Sequence, residues 1–142
     1  MIVLDTTVVS ELLRPAPVSQ VANWLAAQDG ANVYFTVIGE AELRHCLSTL
    51  PEERRDALYP AIIGILEEDF RDRILSFDSS AAQAYAAIAV ERRAAGRPIS
   101  HIDCQIAAIA RANDAAVATR HTEDYNGCGI AVIDPWNHKK LP

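Results

Sequence analysis

The sequence predicts an α/β fold: a parallel β-sheet of four to five short strands flanked by helices on both faces. Three observations predict it. Short apolar runs, such as Ile2-Val3-Leu4 and Val33-Tyr34-Phe35, recur along the chain and are bounded by polar turn residues. One or two stretches with apolar residues at helical spacing separate each run from the next, which is the pattern of strands joined by crossover helices. The runs are apolar at consecutive positions, as in strands covered on both faces.

Ile2 to Leu4 is the first strand, and residues 6–13 follow as a helix closed by Pro15 and Pro17. Val18 to Ala27 places Val21, Trp24 and Leu25 at helical spacing. Val33 to Thr36 is the second strand, followed by a helix from about Gly39 to Leu50. Pro51 and the run Glu52-Glu53-Arg54-Arg55-Asp56 open another helix, with Leu58, Ile62, Ile65 and Leu66 on one face. Ile74 to Phe77 is the third strand. The Ala-rich stretch 79–95 is helical and stops at Gly96-Arg97-Pro98. A helix from His101 to Asn113 and strands at Ala116–Thr119 and Ile130–Ile133 complete the chain. His138-Lys139-Lys140 reads as a frayed tail. Without repeats, low-complexity segments or a compositional break, residues 1–142 are expected to form one domain.

Half of the residues are hydrophobic, enough for a core that needs no staples. The three cysteines, Cys46, Cys104 and Cys128, form no C-x-x-C pair and leave one over, so a reducing cytoplasm is the expected setting. The opening apolar run is short and lacks a basic flank, against a signal peptide. No apolar stretch approaches the roughly 18 residues of a membrane span. A net charge of −6 disfavours a broad electrostatic footprint for duplex nucleic acid. It does not disfavour chemistry in which carboxylates hold cations, because a bound ion inverts the local sign.

The carboxylates are the informative residues. A lone buried carboxylate costs several kcal/mol unless it is paired or metal-bound, yet Asp5 ends the first apolar strand. Glu42 follows strand two in "TVIGEAELRHCL", Asp103 lies in the first turn of "SHIDCQIAAIA", and Asp124 follows strand four in "VATRHTED". In open parallel sheets ligands bind beyond the carboxyl ends of the strands, which is where these four acids fall. Each also has a plain structural reading. Asp5 suits the N-cap of the helix at Thr6; Ser100 to Asp103 resembles a capping box; Glu42 suits a first turn, and Asp124 a turn. Two placements tilt the balance: Glu42 lies beside the ridge Leu43-Leu47-Leu50, and Asp103 beside Ile102-Ile106-Ile109. Acids crowded at one edge repel each other unless a cation balances them. An all-oxygen set favours Mg²⁺ or Mn²⁺ over zinc, and such sites support phosphoryl transfer.

Taken in order, these segments resemble PIN-domain ribonucleases of the VapC toxin type. "MIVLDTTVVSELLRP" resembles their N-terminal strand, D-T-N and V-I-S-E; "IGEAEL" their I-T-x-x-E-L; "ISHIDCQIAAIA" their Asp ahead of an I-A-A-x-A helix; "VATRHTEDY" their T-R-N-x-x-D-F. "VIDPW" is similar to the ending of the FitB-like subgroup. The resemblance covers essentially the whole chain and implies a single PIN domain. It implies a Mg²⁺-dependent endoribonuclease, with Mn²⁺ able to substitute, that hydrolyses RNA with metal-activated water. It further implies homodimerisation, neutralisation by a VapB/FitA-like antitoxin, and operator DNA binding through that complex. Asp5, Glu42 and Asp103 match the family's metal-site acids. The fourth position falls in "RHTED", where Asp124, Glu123 and His121 are the candidates. Thr7 stands where the family usually has Asn; its hydroxyl can orient Asp5 or a water but lacks the amide's second group. Thr6 and Thr119 are secondary candidates for orienting carboxylates, and Arg14, Arg44 and Arg120 for meeting phosphates, the default for each Arg being a surface ion pair.

Three other readings compete with this one. His101 and Cys104, three apart on one helix, lack a third group for a cysteine hydrolase. A phosphoaspartyl phosphatase needs an Asp two residues after Asp5, where Thr7 stands, and a helper Lys, whereas the lysines are only Lys139 and Lys140. A PIN-like module whose site has decayed into a binding surface is the non-enzyme reading, and metal binding separates it from a nuclease.

Overall fold

The computed structural model describes residues 1–138, so Lys139 and Lys140 of the expected tail lie outside the described residues; His138 is exposed. The strands are β1 (Ile2–Leu4), β2 (Val33–Thr36), β3 (Ile74–Leu75), β4 (Ala116–Ala118) and β5 (Val132–Ile133). The helices are α1 (Thr6–Leu12), α2 (Ser19–Ala26), α3 (Val37–Thr49), α4 (Glu52–Gly64), α5 (Ser79–Ala94), α6 (His101–Ala112) and α7 (Thr122–Tyr125). The five strands are all parallel, in the order β3-β2-β1-β4-β5. β1 is therefore central, and the chain builds outward on one side of it before crossing to β4 on the other. That change of direction places a topological switch point between the ends of β1 and β4.

The expected strand cores hold, with shorter ends. β3 stops at Leu75 and not Phe77, because its partner β2 pairs Thr36 with Leu75 and offers no residue beyond. β5 begins at Val132 and not Ile130, after a turn in which Gly129 takes a φ of 74°. α3 starts two residues earlier than expected, because the buried Thr36 hydroxyl accepts the Gly39 N–H at 3.0 Å and caps it. α4 continues through a π-helical turn, Ile65–Asp69, and α7 lies where the sequence reads only as a turn.

Successive strand residues face opposite layers. Leu4, Val33, Phe35 and Ala118 pack with Val9, Val21, Trp24, Leu43, Ile62 and Leu66 from α1 to α4 and the π turn. Val3, Val117 and Tyr34 pack with Ile88, Ile106 and Ala107 from α5 and α6. Both sheet faces are thus covered, which is why the strands read as unbroken apolar runs. One expectation fails. Ile102 is not part of the Ile106-Ile109 ridge but 44% exposed, because the first turn of α6 stands at the carboxyl edge of the sheet and not over its face. Among the described residues no helix is long and apolar enough to cross a membrane.

Gly39 is fixed by packing. A Cβ there would stand 2.4 Å from ring carbons of the fully buried Phe35. Only glycine lets the first turn of α3 close over this ring, and α3 carries Glu42. Gly39→Ala is expected to destabilise the fold by about 1–3 kcal/mol, the usual cost of overpacking a core; urea unfolding with an unchanged slope is the check.

Candidate active site

Asp5 directly follows β1 and Thr119 directly follows β4, and the pairing of Leu4 with Ala118 brings them side by side. The Asp5 N–H donates to the Ala118 carbonyl at 2.9 Å, continuing the ladder. Asp5 occupies the N-cap position of α1, yet its side chain makes no cap bond. Its carboxylate, in a residue only 5% exposed, accepts three hydroxyls. Thr7 and Thr119 donate to Oδ2 at 2.9 and 2.8 Å, and Tyr125 donates to Oδ1 at 3.2 Å. Thr7 thus orients Asp5 as expected for a Thr in that position, and Thr119 does the same.

Asp103 comes in from α6. The Ser100 hydroxyl accepts the Asp103 N–H at 3.2 Å and caps the helix, so the capping reading holds for the backbone. The Asp103 carboxylate lies on the other side of the Tyr125 hydroxyl, 3.3 Å away through Oδ1. Two carboxylates thereby face one phenol oxygen. Glu42, in the second turn of α3, accepts the Thr6 hydroxyl at 2.6 Å. Burial pushes the Glu42 carboxyl above the ordinary carboxylate value; the Thr6 hydrogen bond opposes this, and the charges of Asp5 and Asp103 add to it. Burial likewise raises Asp103, against the Ser100 hydroxyl and with help from the charges of Asp5 and Asp124. Asp124, exposed on α7, is the residue of the "RHTED" segment whose charge reaches Asp103.

Glu123 and His121 have exposed side chains. His121 contributes its backbone N–H to the Thr119 hydroxyl at 3.0 Å, while Glu123 contributes its carbonyl to Arg92. Arg14, just past the end of α1, pairs with Glu11, and Arg44 pairs with Glu40 on α3. Arg120 lies over the Trp136 ring, 5.3 Å from its centroid, and lines a groove beside Asp5 with Thr7, Arg14 and His121. Among the described residues no Arg, Lys or His pairs with any of the four acids.

Sequence reasoning missed Tyr125 and Arg92. Tyr125 is 1% exposed, and burial together with both neighbouring aspartates holds its phenol far above the ordinary tyrosine value, so it stays a proton donor. Arg92 is a buried guanidinium without a carboxylate partner among the described residues. It donates to the carbonyls of Arg97 (2.6 Å), Glu123 (3.5 Å) and Asn126, fastening α7 to the end of α5. The aromatic in "EDY" was the one available signal for Tyr125.

The pair His101 and Cys104 does not form a nucleophile site. Burial pushes the Cys104 thiol up to about 11, its Sγ points to the Tyr85 carbonyl, and the His101 ring bonds the Tyr85 hydroxyl at 2.6 Å.

Among the described residues no three His, Cys, Asp or Glu side chains already converge as a coordination group. The donors at this edge are nevertheless all oxygen, and burial and neighbouring negative charge disfavour the ionised forms of Glu42 and Asp103, which a hard divalent cation would relieve. The site fits such an ion, and its all-oxygen donors suit Mg²⁺ or Mn²⁺ better than zinc, which favours nitrogen and sulfur ligands.

A model of the PIN domain family matches residues 2–123. The chain is 41% identical over 137 residues to the plasmid stability protein StbB of Pseudomonas syringae pv. tomato, covering 96% of this chain and 99% of that protein. It is 36% identical to the VapC ribonuclease Y4jK of Sinorhizobium fredii, covering 96% and 98%, and 36% identical to toxin FitB of Neisseria gonorrhoeae, covering 96% and 99%. The crystal structure of FitAcB from Neisseria gonorrhoeae superposes with a TM-score of 0.91 over 97% of this chain and 100% of that one, at 36% identity.

Raised folded-state values for Glu42 and Asp103 mean that ionising them costs stability. The stability is fully present below their unfolded values and is lost as pH rises through the folded ones. Asp103→Asn is therefore expected to raise the Tm of the protein in EDTA at pH 7 by about 2 °C, a small gain because Asp103 is half-buried. Differential scanning fluorimetry should show that gain shrinking toward pH 3; a lower Tm at pH 7 would contradict it.

Proposed function

The chain belongs to the PIN-domain family, within its VapC/FitB toxin group, and from that premise we propose that it is a divalent-metal-dependent endoribonuclease and the toxin of a VapBC-type toxin–antitoxin pair. One observation carries the reading. Asp5, buried at the end of the central strand, accepts hydroxyls from three side chains and faces Asp103 across a single phenol oxygen, with no basic side chain among the described residues paired to either. Glu42 and Asp124 add their charges at the same edge.

In this reading Asp5, Glu42, Asp103 and Asp124 hold one or two Mg²⁺, with Mn²⁺ able to substitute. When bound, such an ion supplies Lewis acidity toward a water and the phosphate and offsets charge on the leaving oxygen. The protein's part is positioning. Thr7 and Thr119 fix one oxygen of Asp5, Thr6 fixes one oxygen of Glu42, and Ser100 caps the turn of α6 that carries Asp103. The covered sheet beneath keeps these donors rigid, so little reorganisation is needed during reaction. In the groove beside Asp5, where Glu11 pairs with Arg14, the Arg120 guanidinium is the group that offers positive charge to an RNA backbone.

The proposed setting is the cytoplasm, the proposed assembly a homodimer of single-domain protomers. The proposed partner is a VapB/FitA-like antitoxin through which the complex binds operator DNA. Support comes from the relatives named a VapC ribonuclease and a FitB toxin, and from a FitAB structure bound to an IR36 DNA fragment, at 35% identity and a TM-score of 0.91 over 98% of each chain.

Pure protein incubated with mixed structured and unstructured RNAs should cleave with Mg²⁺ or Mn²⁺, fail with EDTA, and leave 5′-phosphate and 3′-hydroxyl ends. Asp5→Asn should lower the rate by at least about 10²-fold with the fold intact. Ends carrying 2′,3′-cyclic phosphate would overturn the hydrolytic mechanism, since they require the RNA's own 2′-hydroxyl as nucleophile. Absence of both cleavage and calorimetric metal binding would favour a decayed binding module.

A further inference from the structure

Among the described residues Tyr125 is the one side chain that hydrogen-bonds two of the four acids. Its ring is buried among Val3, Ile106, Cys128 and their neighbours, so packing decides where the hydroxyl stands. Among the described residues it is the only side-chain donor to Oδ1 of Asp5 and to Oδ1 of Asp103, at 3.2 and 3.3 Å. A phenol has one proton and can donate to only one of them at a time. Both contacts are also long for a hydroxyl on a carboxylate, which closes to about 2.5–2.7 Å when it is strong. The hydroxyl therefore does not tether either acid tightly. It stands between them and sets their separation.

The segment that carries it is held equally firmly. The short helix α7 has few contacts of its own to define it, yet Arg92 donates to carbonyls on both sides of Tyr125, at Glu123 and Asn126. A buried guanidinium has thus been spent on fixing the backbone that aims this phenol.

We infer that Tyr125 is a positioning residue that spaces Asp5 and Asp103 for a divalent cation before the ion arrives. This rests on the metal-dependent reading above and adds to it a residue that is not itself an acid. A tyrosine serving only to fill the core needs its ring and not its hydroxyl, so removing the oxygen alone separates the two roles.

The test is calorimetric titration of MnCl₂ into the parent protein and Tyr125→Phe, which keeps the ring and loses the hydroxyl. Removing a group that orients metal ligands commonly costs 10–100-fold in affinity, so the Kd for Mn²⁺ should rise about tenfold. RNA cleavage by the variant should recover to within about twofold of the parent at saturating Mn²⁺, whereas Asp103→Asn should stay inactive. Equal Kd values for the parent and Tyr125→Phe overturn the inference and leave the nuclease reading standing. A parent protein that binds no Mn²⁺ overturns both. Should Tyr125→Phe fail to fold by circular dichroism, Tyr125→Met, also apolar and without a hydroxyl, is expected to show the same rise in Kd.

Discussion

A carboxylate buried at the end of the central strand sets the terms for everything around it. Among the described residues Asp5 has no basic partner, and its satisfaction falls to hydroxyls, each drawn from a different element: Thr7 from α1, Thr119 from the end of β4, Tyr125 from α7. Hydrogen bonds to a charged group contribute roughly 1.5–3 kcal/mol each, and the two shorter ones, from Thr7 and Thr119, do most to offset the burial of this carboxylate. Each donor is placed by longer-range structure. Thr119 is beside Asp5 because β4 pairs with β1 in that register. Tyr125 reaches it because Arg92, in the last turn of α5, holds α7. The sheet order, the crossover to β4 and the buried arginine all converge on one side chain.

The other acids add strain of an electrostatic kind. Glu42 and Asp103 are half-buried and feel Asp5 and, for Asp103, Asp124 as well. A fold selected for stability alone has no use for this crowd. What makes the arrangement tolerable is the rigidity beneath it: two apolar layers, each continuous across the sheet, with Leu4 and Val3 anchoring opposite faces of the same short strand. What makes it useful is that the charge left unbalanced has the sign and hardness of a divalent-cation site. Stability and function pull in opposite directions here, as they commonly do where a site is built from like charges.

Most of the fold was legible because the strands are short and apolar throughout. β1 and β2 end where the apolar runs end, at Asp5 and Thr36. Helix ends marked by capping chemistry were also legible, as at Ser100 and at Gly96, whose φ of 70° follows the last turn of α5. Strand ends set by a partner were not: β3 is cut short by the length of β2, a fact that no local pattern in "ILSF" contains. The acids were legible as a set, since each follows a strand end or opens a helix at the same edge. The residues that hold them were not. Nothing in "VERRAAGRP" distinguishes the buried Arg92 from Arg93, and nothing near Tyr125 reveals that its hydroxyl meets an aspartate 120 positions away. Ile102 misled for the related reason that helical spacing marks a face but not where the sheet beneath it stops.

The central claim is that the carboxyl edge around Asp5 is a cation site. A crystal of the protein soaked in MnCl₂ and measured at the manganese absorption edge tests it most directly. The account predicts an anomalous peak in contact with carboxylate oxygens of both Asp5 and Asp103, and its loss in Asp5→Asn crystals treated the same way. A peak only at other carboxylates, or none at this edge in crystals that bind manganese elsewhere, would contradict the account.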